Sequence, residues 1–204
     1  KKPDGSMAGF DVDVATYVAG KLGYRPDEID WKESPSGQRE TLIQNGQVDY
    51  IVATYSITDA RKQKVAFAGP YLDTGQSLLV RADTTDIAGP ESLANGKRLC
   101  SVSGSTPAQR IKDKYPGVQL QQYDTYSACV EALRNGAIDA VSTDDFLLDQ
   151  LGLSRSVVQQ VIAEQAASMK APPVDIETLL AQIARSGAPR FAHAAHPRRP
   201  PHNV

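Results

Sequence analysis

The chain has 204 residues, of which 41% are hydrophobic, and sets 22 Lys and Arg against 24 Asp and Glu for a formal charge of −2 at neutral pH. That balance excludes both the basic footprint of a nucleic-acid binder and an acidic tail, leaving small molecules or proteins as partners. The length accommodates one large domain or two small ones with real cores, and no apolar run approaches the roughly 20 residues that a membrane helix needs.

The chain opens at Lys1-Lys2-Pro3 with neither Met nor a secretory signal, as a processed or trimmed product would. Phe10, Val14, Tyr17, Val18 and Leu22 fall at helical spacing, with Asp11 and Asp13 in the first turn and Gly23 as a stop, predicting a helix that covers a sheet. A short strand is expected over Glu28–Lys32, a helix over Gln38–Asn45 and a strand over Val48–Ala53. Thr58 is placed to cap a helical turn running through Lys62, and Val65–Ala68 reads as a further strand. After Gly69-Pro70 the extended run Ser77-Leu78-Leu79-Val80 carries the chain across a hinge to a second lobe.

The second lobe repeats the rhythm of the first. Arg98–Val102 reads as a strand, Pro107 opens a helix that ends at Pro116-Gly117, Val118–Tyr123 is a strand, Thr125–Arg134 a helix and Ile138–Ser142 a strand. Asn45, Gly46, Val48 and Asp49 recur as Asn135, Gly136, Ile138 and Asp139, each displaced by 90 positions. In both copies a helix stops at Asn-Gly and a buried strand follows, ending in polar residues. A cleft between two lobes built on one αβ plan is therefore expected, with lobe 1 over 1–75 and lobe 2 over 76–150.

From Gly152 the pattern changes to amphipathic helical spacing, giving a helical segment over 151–185; residues 186–204 crowd prolines among the histidines and read as a disordered tail. Those prolines break the fixed spacing that a histidine metal site uses, so no metal or cofactor is expected. Cys100 falls in a strand pattern and Cys129 in the helix that would cover it. A bridge between them would stabilise by about 3 to 4 kcal/mol and suit an oxidising compartment; two buried free thiols remain the alternative.

Three features carry binding chemistry. The loop Ser103-Gly104-Ser105-Thr106-Pro107 sits at a helix start, where unpaired amides accept an anion, although Ser and Thr before Pro also serve as plain caps. Arg61 follows the polar exit Thr54-Tyr55-Ser56, where a guanidinium grips a carboxylate with two parallel hydrogen bonds. Asp144, at the equivalent exit beside Thr143, suits an ammonium group. Together they outline an α-amino acid; the plainer reading makes Arg61 and Asp144 surface charges or partners of each other.

Ser56-Ile57-Thr58-Asp59-Ala60-Arg61-Lys62, with Phe67-Ala68-Gly69-Pro70-Tyr71, resembles the signature of the family 3 solute-binding proteins, which serve ABC importers of polar amino acids. Gly9-Phe10-Asp11-Val12-Asp13-Val14-Ala15 is similar to the same family. Gln38-Arg39-Glu40-Thr41-Leu42 and the run Leu99–Gln109 are most similar to its glutamate-binding branch. The resemblance spans residues 1 to about 149 and implies an α/β, two-lobed, type II periplasmic-binding-protein-like fold. It implies that Arg61, Ser56 and the backbone at Thr106 hold a ligand α-carboxylate, that Asp144 takes the α-ammonium, and that Arg39 meets a side-chain carboxylate. Thr54, Ser105 and Thr143 complete the implied ligand set. The implied ligand is L-glutamate or a related amino acid, the implied partner an ABC permease, and the implied place extracytoplasmic.

The resemblance has gaps: the family's first strand, which precedes the Gly9–Ala15 segment in relatives, and its C-terminal return strand and helix are not recognisable in this chain. A truncated or diverged relative with a regulatory or receptor role, or with no ligand binding, is the second expectation. An amino-acid dehydratase-like enzyme is a more distant third, because residues 1–150 contain no histidine to serve as general acid or base.

Overall fold

The computed structural model describes residue 2, residues 4–150 and residues 158–160. The described residues divide into two compact units, one up to Pro70 and the other from Tyr71 onward.

In the first unit, helix α1 (Phe10–Lys21) turns Ala15 and Ala19 inward, with Asp11 and Asp13 at its positive end and Lys21 at its negative end. Tyr50 Oη donates to the Ala15 carbonyl at 2.7 Å, tying the later chain to this helix. Helix α2 (Arg39–Gln44) stops where Gly46 takes a φ of 64°. Gly46 N then bonds the Ile43 carbonyl and Gln47 N the Leu42 carbonyl, each at 2.9 Å, the paired closure that only a left-handed residue permits cheaply. Leu42 and Val48 pack together beyond that stop, with Ile43 and Ile51 against them. Helix α3 (Asp59–Lys62) is a single turn capped by Thr58, whose hydroxyl accepts from Arg61 N, as expected from sequence.

The strands expected over residues 28–32, 48–53 and 65–68 are not realised among the described residues. Residues 26–28 form a 3-10 turn and 48–53 contribute one bridge residue, Tyr50. Val48, Val52, Ala53 and Val65 are buried as their pattern required. Apolar spacing specifies burial, whereas a strand also needs a neighbour in register to complete its ladder.

The second unit holds a five-stranded mixed sheet of order β3-β2-β4-β1-β5. Its strands are β1 (Gln76–Val80), β2 (Arg98–Val102), β3 (Gln119–Tyr123), β4 (Ala140–Asp144) and β5 (Val158–Gln160). β2 runs parallel to β3 and β4, and β1 antiparallel to β4 and β5. The parallel strands are joined through α4 (Thr106–Lys114) and α5 (Tyr126–Arg134), as parallel pairs require. Leu78, Val80, Leu99, Ile111 and Ala140 pack on one face; Leu79, Cys100, Cys129, Val141 and Leu148 pack on the other, with Leu148 supplied by α6 (Asp145–Gln150). The second Asn-Gly repeats the first closure: Gly136 has a φ of 77° and Ala137 N bonds the Ala132 carbonyl at 2.9 Å.

Cys100 and Cys129 form a disulfide between β2 and α5, with Cα atoms 5.7 Å apart, which decides against the free thiols. One correction falls on the expected helical segment 151–185. Residues 158–160 form β5 against β1, because an open strand edge offers backbone donors and acceptors that an extended segment satisfies and a helix does not. The rest of that segment, like the tail expected over 186–204, lies outside the described residues.

Candidate functional site

Arg61, Arg39, Ser56 and Thr54 lie in the first unit and cluster around an aromatic ring that the sequence reading passed over. The Arg61 guanidinium carbon lies 4.5 Å from the Tyr55 ring centroid, and that of Arg39 lies 5.2 Å from it. Phe67 braces the same ring at 5.2 Å, tilted by 46°. Arg61 donates to the Ser56 carbonyl at 2.9 Å, while Arg39 donates to the carbonyls of Ser34 at 3.2 Å and Thr54 at 3.5 Å. Backbone oxygens of the Thr54-Tyr55-Ser56 stretch thus fix the two guanidinium groups beside the ring the stretch carries. Glu40, the neighbour of Arg39, pairs with Arg61 Nε at 3.5 Å, the two side chains being 17% and 12% exposed. Burial raises the Tyr55 phenol, the adjacent Glu40 carboxylate raises it further, and the two arginines oppose that shift; it stays protonated at neutral pH.

Ser105, Thr106, Thr143 and Asp144 lie in the second unit, at the carboxyl ends of the parallel strands β2 and β4, where open α/β sheets bind ligands. Ser105 caps α4, its hydroxyl accepting from Ala108 N at 3.2 Å and lying 3.3 Å from the Ser101 hydroxyl. The plain capping role weighed for this loop is therefore occupied by Ser105, and Thr106 is the first residue of α4. Thr143 and Asp144 are buried at the end of β4, opposite Ser77 and Gln76 of β1.

Two residues of this unit also escaped the sequence reading. Gln76, fully buried, donates to the Ser142 hydroxyl at 2.8 Å and the Pro107 carbonyl at 3.3 Å and accepts from Arg110 at 3.4 Å, joining β1, β4 and the start of α4. Tyr126, at the start of α5, has its phenol raised, mainly by burial, with the hydroxyls of Ser105, Thr143 and Ser101 opposing the shift and the Asp144 charge adding to it. A glutamine in a strand and a tyrosine at a helix start carry no periodic signal. Tyr55, a lone aromatic between two hydroxyl residues, carries none either.

At the amino ends of the same strands, Arg81, Asp86, Lys97 and Asp139 line a charged cavity. Its cations already face carboxylates: Lys97 pairs with Asp86, and Arg81 lies 3.8 Å from Asp83. None of the predicted ligand residues lines it. Among the described residues, no group of three or more His, Cys, Asp or Glu is placed to hold a metal ion, and no helix is long and apolar enough to cross a membrane.

Residues 1–147 match the family described as bacterial extracellular solute-binding proteins, family 3. Residues 143–197 match the VapC50 C-terminal domain, a stretch mostly outside the described residues. The glutamate-binding protein GluB of Corynebacterium glutamicum is 59% identical over 152 residues, which make up 72% of this chain and 52% of that protein. The ABC transporter glutamine-binding protein GlnH of Bacillus subtilis is 37% identical over 144 residues, covering 71% of this chain and 52% of that one. The chain thus spans about half the length of these relatives. Among solved structures, an ancestral arginine-binding protein bound to arginine is 26% identical with a TM-score of 0.69, over 92% of this chain and 87% of that one.

Proposed function

Because the chain belongs to the family 3 bacterial extracellular solute-binding proteins, we propose that it is the substrate-binding component of an ABC importer that captures L-glutamate or a closely related polar amino acid. The observation that carries this reading is the likeness to the glutamate-binding protein of C. glutamicum, 59% identical along a stretch of this length. The residue chemistry supports it. Arg61 and the amide of Thr106 suit an α-carboxylate, with the Ser56 hydroxyl as a further donor; Asp144 suits the α-ammonium, and Arg39 a side-chain carboxylate. Thr54, Ser105 and Thr143 add polar contacts. The protein acts outside the cytoplasm, where a permease of the ABC class accepts its cargo, and a disulfide suits that compartment.

Ligand-linked stability tests the proposal, since a ligand that binds only the folded state at 100 times its Kd stabilises by about 2.7 kcal/mol. Thermal melts with glutamate, aspartate, glutamine and arginine are expected to show the largest rise with glutamate. That rise should vanish in both Arg61→Ala and Asp144→Ala. A protein whose melting is indifferent to all of these amino acids would overturn the proposal.

A further inference from the structure

Two like-charged guanidinium groups share one neutral ring in the first unit, an arrangement that elementary electrostatics disfavours unless something holds it. Three kinds of contact do so. Backbone carbonyls of Ser34, Thr54 and Ser56 take hydrogen bonds from Arg39 and Arg61. Glu40 pairs with Arg61. The Tyr55 ring lies 4.5 Å from the Arg61 guanidinium carbon and 5.2 Å from that of Arg39. Of the three, the ring differs in kind: its negative face attracts cations without carrying a charge, so it gathers the two arginines without neutralising either. Phe67 packs beside it, the ring centroids 5.2 Å apart.

We propose that Tyr55 is a positioning residue for ligand selection, whose ring collects Arg39 and Arg61 into one cationic patch that favours an amino acid with a second carboxylate over its side-chain amide. This inference rests on the reading of the chain as an amino-acid binder. Glutamate and glutamine have nearly the same size and differ by one negative charge, so a patch that gathers cationic charge discriminates between them, whereas a pocket shaped only by sterics does not. The part of Tyr55 that matters is its ring, because the hydroxyl, raised by burial and by Glu40, stays neutral.

Isothermal titration of glutamate and glutamine into the full chain tests this, comparing the wild type with Tyr55→Phe, Tyr55→Leu and Tyr55→Met. The Phe variant keeps the ring and should keep the ratio of glutamate to glutamine affinity within about twofold. The two non-aromatic variants should lower that ratio by about tenfold, the scale of one desolvated cation–ring contact, mostly through weaker glutamate binding. Two non-aromatic side chains of different shape guard against one failing to fold, which melting without ligand reports. A merely structural role would weaken both ligands in parallel, and that result, or an unchanged ratio in the Leu and Met variants, overturns the inference while leaving amino-acid binding intact. A wild type that prefers glutamine overturns it as well. A wild type that binds neither ligand removes the functional reading itself.

Discussion

Tyr50 illustrates what one side chain contributes to the first unit. Its hydroxyl reaches the Ala15 carbonyl at 2.7 Å, and burial first, then the Asp49 charge, pushes its pKa up from 10.0 to about 12. A phenol that ionises at about 12 in the folded chain and 10.0 in the unfolded one is neutral in both below pH 10, so its contribution is intact there. Between those values the unfolded state gives up its proton first, and stability falls as pH rises. Tyr50→Phe should therefore cost about 1 kcal/mol at neutral pH and flatten the alkaline decline, as urea titrations at several pH values would show. The legible residues of the candidate site were those with a local reason to be there. Thr58 capping the turn that holds Arg61 is an N-cap signature, and Ser105 before Thr106-Pro107 is another. Tyr55 and Glu40 were not legible, because their roles depend on residues 39, 40, 55, 61 and 67 meeting in space.

Helix stops were the most readable elements. The matched Asn-Gly pairs both close helices through left-handed glycine, at φ values of 64° and 77°. A Cβ on Gly136 would meet nothing within 4 Å, so Gly136→Ala tests backbone strain alone and should destabilise by about 1 to 2 kcal/mol in urea unfolding. Strand formation divides by context. β2 matches its expected bounds, since it lies between two parallel neighbours, whereas the apolar runs of the first unit are buried without forming a ladder among the described residues. The residue Asp139, last of the repeated phrase, anchors the start of β2: it accepts from Arg98 N at 2.8 Å, Nε at 3.1 Å and Nη2 at 3.0 Å. The hydrogen bonds from Arg98 hold the Asp139 carboxyl below its ordinary 3.8, so its contribution is present above that value and lost as pH falls through the lower folded one. Asp139→Asn should be less stable at neutral pH and should show a shallower acid limb in pH-dependent melting.

At the scale of the molecule, the second unit reads more completely from sequence than the first. Its β2-α4-β3-α5-β4 run is contiguous, so each element's partner is near in sequence and alternation alone fixes the layers. The edge strand β5 was missed because three residues, Val158–Gln160, carry too short a pattern to override the helical spacing around them. The core clusters among the described residues each stay within one unit, Leu42 and Val48 in the first and the two faces of the sheet in the second. Replacing both Cys100 and Cys129 by Ala should therefore destabilise the second unit, which carries the bridge, by about 3 kcal/mol in urea unfolding. Neither sulfur of that bridge touches solvent, both cysteines being 0% exposed. A reductant can attack it only during moments when β2 and α5 part, so the rate at which thiols become titratable in dithiothreitol is a clock for those openings, readable on a single unit without unfolding the rest of the chain.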